Sequence, residues 1–223
     1  MRSSDPPADL TGFPQAVWQA GRRAHRVFRH TDPETGRPRT PLFFASGTGA
    51  AHEGRWDLPE PEGSCYHADD EVVCVLEALA PDLPTDGPPR LASDTWLVQR
   101  RRIEVSARTD ISGYADLDAE EAFGFGVAGD LHTTTDDRHL TQRWAAELRG
   151  HGYAGVRAHA RTPPAAGAGT WTLFGPAGPA ITPPDPALEL GPTTSLHDDA
   201  ALLRRLRRYG VAFLPVPNDV AAD

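Results

Sequence analysis

The run Arg138–Arg149, RHLTQRWAAELR, narrows the choice of fold more than any other segment. Leu140, Trp144, Ala145 and Leu148 recur at helical spacing and share one stripe, and Gly150 and Gly152 stop the helix. So bulky a stripe needs another element to bury it. The residues after the helix read as extended chain: GYAGVRAHAR runs into a strand, TPPAAGAG is a loop, and TWTLFG (Thr170–Gly175) is a second strand. Helix, strand, loop and strand in that order form the closing half of a mixed α+β domain.

The first half carries the same kind of signal. HRVFRH alternates, so a strand there places Arg26 and Phe28 on one face and Val27 and Arg29 on the other. Ser64–His67 reads as a strand and Asp69–Ala80 as a helix, with Asp69 and Asp70 at its positive end and Val72, Val73, Leu76, Leu79 and Ala80 on its buried stripe. Glu77 falls at the edge of that stripe, beside Val73 and Ala80. Pro14–Ala24 predicts a short helix with proline in its first turn. Thr95–Ser106 predicts one or two strands, with Arg100–Arg102 on a solvated face. Pro81–Pro89 and Pro176–Pro192 read as proline-rich connectors, and a terminal helix near His197–Arg208 precedes the apolar run VAFLPVP.

At 223 residues, with 39% hydrophobic content and five tryptophans, the chain is expected to fold around a single core. All 22 basic residues are arginine. The absence of lysine removes the P-loop lysine, a lysine Schiff base and a pyridoxal phosphate anchor. A formal charge of -9 disfavours a nucleic-acid surface while leaving room for a local basic groove that holds a small anion. Cys65 and Cys74 form no CxxC pair and read as small apolar residues of a cytoplasmic protein. No segment has the pattern of a signal peptide or a membrane span. The nine histidines include no HExxH and no tight ligand cluster, so no metal is expected. Gly124, Gly126 and Gly129 do not spell a dinucleotide fingerprint.

The ordered signatures resemble the RES domain. They are RVFR at Arg26–Arg29, GRWD at Gly54–Asp57, CYHA at Cys65–Ala68, the helix carrying Glu77 eleven residues after Tyr66, AGDL at Ala128–Leu131, LRGHGYAGVRAHAR, and TLFG. The resemblance implies a single α+β domain similar to ADP-ribosyltransferases, with residues 25–175 as the catalytic part. Residues 1–24 then form an N-terminal arm with the short helix, and residues 176–223 pack on the same domain. It also implies the toxin half of a toxin–antitoxin pair, which breaks the nicotinamide–ribose bond of NAD using water or phosphate. NAD is then substrate rather than cofactor, an antitoxin is an expected protein partner, and a homo-oligomer is compatible.

On that resemblance, Glu77 stabilises the cationic ribosyl centre, and Arg26 and Arg55 grip the pyrophosphate through guanidinium forks. Tyr66 offers a ring face and a hydroxyl, Trp56 is either pocket wall or core, and His159 is a further candidate by position. Read without the family, each arginine could lie along apolar surface, Tyr66 could be a core tyrosine, and His159 a solvent-facing strand residue. One position departs from the pattern. Where the family serine is expected the chain has Ala160, ahead of Arg161, and losing one pocket hydrogen bond costs on the order of 1 to 3 kcal/mol. An NAD hydrolase with altered acceptor handling, an ADP-ribosyl transferase acting on a protein or metabolite, and a non-catalytic binding protein all remain compatible with that change.

Overall fold

A computed structural model describes residues 3–33, 35–47, 54–80, 90–129, 131, 138–160 and 168–215. Its elements are β1 (Gln15–Trp18), β2 (Arg23–Arg29), β3 (Leu42–Phe44), β4 (Glu62–Ala68), α1 (Glu71–Leu79), β5 (Arg90–Ser93), α2 (Asp94–Val98), β6 (Arg100–Ala107) and β7 (Ile111–Asp116). A 3-10 helix (Glu120–Phe125) leads to α3 (Arg138–Gly150), β8 (Gly155–His159), β9 (Gly169–Pro176), β10 (Gly178–Ala180), β11 (Leu188–Ser195), α4 (Ala200–Arg208) and β12 (Val211–Leu214). Eight strands form one sheet in the order β1-β7-β8-β9-β4-β2-β6-β11, antiparallel except for β7 and β8. The fold is mixed α+β, as the sequence predicts.

The sheet curls around Trp18, Phe28, Phe44, Tyr114, Trp171 and Leu173, which fill its inner face. Its outer face is covered by helices. The α3 stripe of Trp144, Ala145 and Leu148 packs with Val156, Ala158 and Phe174. Helix α1 is sealed by α2 and α4 through Val72, Val75, Leu76, Leu79, Trp96, Leu97, Leu202 and Leu206. It starts at Asp70, whose carboxylate accepts from Val72 N and Val73 N. Neighbouring Asp69 instead accepts from Arg22, Trp171 Nε1 and Gly169 N, tying the end of β4 to β2 and β9.

Four sequence expectations change. The short helix over Pro14–Ala24 is instead β1 and the start of β2, because Ala16 and Trp18 bury alternately against β7 and Gly21 takes φ +76° in the turn between the strands. Thr95–Val98 is the helix α2, capped by the Ser93 hydroxyl on Thr95 N. Arg100–Arg102 is not simply solvated: Arg100 stacks 4.0 Å from the Trp96 ring centre, and Arg102 pairs with Asp199 at 2.9 Å and Glu71 at 3.3 Å. The Pro176–Pro192 stretch contains β10 and the first part of β11, a sheet-edge strand that tolerates proline. The Pro81–Pro89 connector lies outside the described residues. No described helix is long and apolar enough to cross a membrane.

Both cysteines are buried and unpaired, and Cys74 has its thiol pushed up to about 12 by burial, so neither is a reactive thiolate. His67, on the inner face beside Trp18, is pushed down to about 3 by burial and then by the Arg26 guanidinium. It stays neutral in the folded protein while the unfolded chain takes up a proton near pH 6.5. Stability should therefore fall as pH drops from about 6.5 toward 3, by up to ~1.4 kcal/mol per pH unit from this group. Urea unfolding across that range checks it, and His67→Leu should flatten the slope whatever it does to the plateau.

Candidate active site

Strands β2 and β4 are neighbours that barely pair. β2 is bonded along its whole length to β6, and β4 to β9, yet between them the register holds only at His25 and Ala68. Beyond that point the strands part like a fork, and the Arg26 guanidinium fills the gap. It donates from Nη1 to Tyr66 O (3.2 Å), from Nε to Pro41 O (2.7 Å) and from Nη2 to Phe43 O (2.8 Å). The side chain shares the inner face with Phe28, as the alternation of HRVFRH predicts, and is 8% exposed.

The other face of the fork carries the Tyr66 side chain and the groups that hold it. Tyr66 stands on β4 opposite Thr172 of β9, which in turn lies opposite Val156 of β8, so these three share the outer face. The turn Gly54–Asp57 folds over Tyr66. Its hydroxyl donates to Asp57 Oδ1 (2.6 Å) and accepts from Trp56 N (2.9 Å). Asp57 Oδ2 accepts from Gly54 N (2.6 Å), and Ser64 Oγ donates to Trp56 O (2.5 Å). From the α3 side, Gln142 Nε2 donates to Gly54 O (3.2 Å). Burial, followed by the Asp57 charge, holds the Tyr66 phenol well above its usual range.

Arg55, 8% exposed, reaches from this turn toward α1, where its Nη2 lies 3.8 Å from Glu77 Oε2. Its guanidinium also sits 5.7 Å from the Trp56 ring centre. Glu77 keeps the stripe-edge place that its spacing predicts, one turn beyond Val73. Trp56 is core, 1% exposed among Phe174, Val156 and Trp144. Two buried polar atoms here, Trp56 Nε1 and Thr172 Oγ1, have no hydrogen-bond partner among the described residues.

Arg55, Trp56, Tyr66 and Glu77 thus gather on the outer face between α1 and α3. Arg26 touches the same place only from behind, through the Tyr66 carbonyl, and serves as frame rather than as an outward-facing fork. His159 is not brought in. It pairs with Gly169, next to the Arg157–Trp171 pair, so the pleat turns it to the face opposite Tyr66. There its Nδ1 lies 2.8 Å from Asp118 Oδ2, in a cluster with Arg157. The cavity lined by Leu10, Gln15, His151 and Tyr153 contains none of these candidates. Among the described residues no group of three or more His, Cys, Asp or Glu could hold a metal.

A family model for the RES domain matches residues 17–193, most of the chain. The chain belongs to the RES domain family. No curated protein matches its sequence. Among solved structures, a chain of the M. tuberculosis MbcT–MbcA toxin–antitoxin complex is similar in fold, with 22% identity over 86% of this chain and 92% of that one and a TM-score of 0.56. The RES match starts within β1 and ends within β11. In this RES domain Ala160 packs in a small apolar patch with Ala68, Val73 and Cys74, one helical turn of α1 before Glu77. Arg161 lies outside the described residues, as does Asp130 of the AGDL signature.

Sequence reasoning missed Asp57 and Gln142. Asp57 was visible as the last residue of GRWD, whereas nothing in the α3 periodicity singles out Gln142. Two substitutions test the frame. Arg26→Lys replaces a three-way fork by one ammonium and strands buried carbonyls, so unfolding stability should fall by about 2–4 kcal/mol in a denaturant titration. A Cβ on Gly54 would overlap the Tyr66 hydroxyl and the Asp57 carboxylate, so Gly54→Ala should cost about 1–3 kcal/mol and shift the near-ultraviolet tyrosine signal.

Proposed function

We propose that this RES domain is an NAD-consuming enzyme that cleaves the nicotinamide–ribose bond, with water or phosphate as acceptor. The observation that carries the proposal is the meeting of Arg55, from a loop, with Glu77, from a helix, beside the half-buried Tyr66. Bond cleavage of this kind passes through an oxocarbenium-like ribosyl cation as neutral nicotinamide departs. A fixed carboxylate at Glu77 stabilises that charge and can hold a ribose hydroxyl. Arg55 supplies the fork for a pyrophosphate oxygen, with its Nη2 3.8 Å from Glu77 Oε2. Tyr66 presents a ring face to the nicotinamide. Arg26 keeps β4 at the right distance from β2 while these groups act.

The likeness in fold to a chain of a toxin–antitoxin complex supports a second part of the proposal, that a protein antitoxin restrains this activity. Ala160 keeps two alternatives open. With no hydroxyl in that apolar patch, acceptor handling differs from the family pattern, and transfer of ADP-ribose to a protein or metabolite, or nucleotide binding without turnover, becomes the competing reading.

Incubating the pure protein with NAD, with and without phosphate, should release nicotinamide. Glu77→Gln should lower that release by ~100-fold or more in protein that circular dichroism shows to be folded. Mass-shifted acceptors would favour the transferase. Calorimetric NAD binding without product would favour the binding protein, and no turnover in either buffer with Glu77→Gln indistinguishable from the native chain would end the hydrolase reading.

A further inference from the structure

Tyr66 has one phenolic proton, and its neighbours decide where that proton points. A carboxylate only accepts and a backbone N–H only donates. With Asp57 Oδ1 at 2.6 Å and Trp56 N at 2.9 Å, the proton is directed at Asp57 and one oxygen lone pair is taken by Trp56. A phenol holds its proton far more tightly than a carboxyl group, so the proton stays on Tyr66. Asp57 has little freedom to turn away, being 3% exposed with its other oxygen 2.6 Å from Gly54 N.

We propose that Asp57 is a positioning residue that sets specificity: by accepting the Tyr66 hydrogen bond it leaves the phenol a hydrogen-bond acceptor toward the ligand, so the ligand group meeting Tyr66 must be a donor. Resting on the NAD reading above, the donor is an N–H of the nicotinamide carboxamide or an O–H of the adjoining ribose. Tyr66 then recognises and orients but does not deliver a proton, and protonation of a ligand falls to another group. Tyr66 is half-buried as a residue, and among the described residues its phenol oxygen has one lone pair left for this contact.

Two measurements test the proposal separately from the NAD reading. The first is a tyrosinate absorbance titration of the native protein against Tyr66→Phe, within the pH range where circular dichroism shows both folded. The difference should show no Tyr66 ionisation near the ordinary phenol value of about 10, and Asp57→Asn, which keeps one acceptor oxygen but no charge, should bring that ionisation down into the window. Ordinary titration of Tyr66 in the native protein overturns the Asp57–Tyr66 assignment, as does an Asp57→Asn titration identical to the native one.

The second is calorimetric binding of NAD, of nicotinic acid adenine dinucleotide, which lacks the amide N–H, and of the dinucleotide lacking the ribose 2′-hydroxyl. One donor-deleted analogue should bind about tenfold more weakly than NAD to the native chain, and that penalty should vanish in Tyr66→Phe. Equal penalties in the native chain and Tyr66→Phe overturn the acceptor role. No binding of NAD by the native chain overturns the NAD reading and the ligand half of this proposal, while the titration still decides the polarity of Tyr66.

Discussion

The Arg26 guanidinium in the fork between β2 and β4 is the contact on which the architecture rests. A sheet of eight strands has no need to open in its middle, yet here two well-paired halves meet at a single register position. Opening the ladder costs backbone groups their strand partners, and buried carbonyls without donors are costly. One planar fork resolves this by donating in three directions to β4, to β3 and to the residue before β3. A lysine has no such geometry. The same contact steadies Tyr66, whose carbonyl is held from the inner side by Arg26 while its hydroxyl is held from the outer side by Asp57 and Trp56.

The outer face brings the Arg55 guanidinium together with the Glu77 carboxylate and, through Tyr66, Asp57, in ground where burial weakens screening. It differs from the ion-pair network on the far side of α1, where Arg205 contacts Asp70 at 2.7 Å and Glu71 at 2.5 Å and Arg102 bridges Glu71 and Asp199. Those short, multiply shared contacts hold α1 against α4 and β6. The Arg55–Glu77 contact on the outer face is longer, at 3.8 Å.

Much of this was readable in the chain. The alternation of HRVFRH placed Arg26 with Phe28 on the buried face, the stripe of RHLTQRWAAELR defined α3, and the spacing around Glu77 put it at the margin of α1. The readings that changed share a cause. Pro14 ahead of QAVW suggested the first turn of a helix, but pairing with β7 pulled it into the sheet, and Arg100–Arg102 looked solvated because Trp96, Glu71 and Asp199 arrive from separate segments. His159 looked eligible by order along the chain, and the pleat turned it away.

The amino-acid order alone therefore settled the class of fold, the buried stripes and the family, because these follow from periodicity and from motifs whose residues lie close together. Folding in three dimensions assigned the jobs. Whether an arginine grips a ligand or plugs a fork, and whether a tyrosine gives or takes a hydrogen bond, depends on donors and acceptors brought from distant positions, and no local pattern encodes those distances.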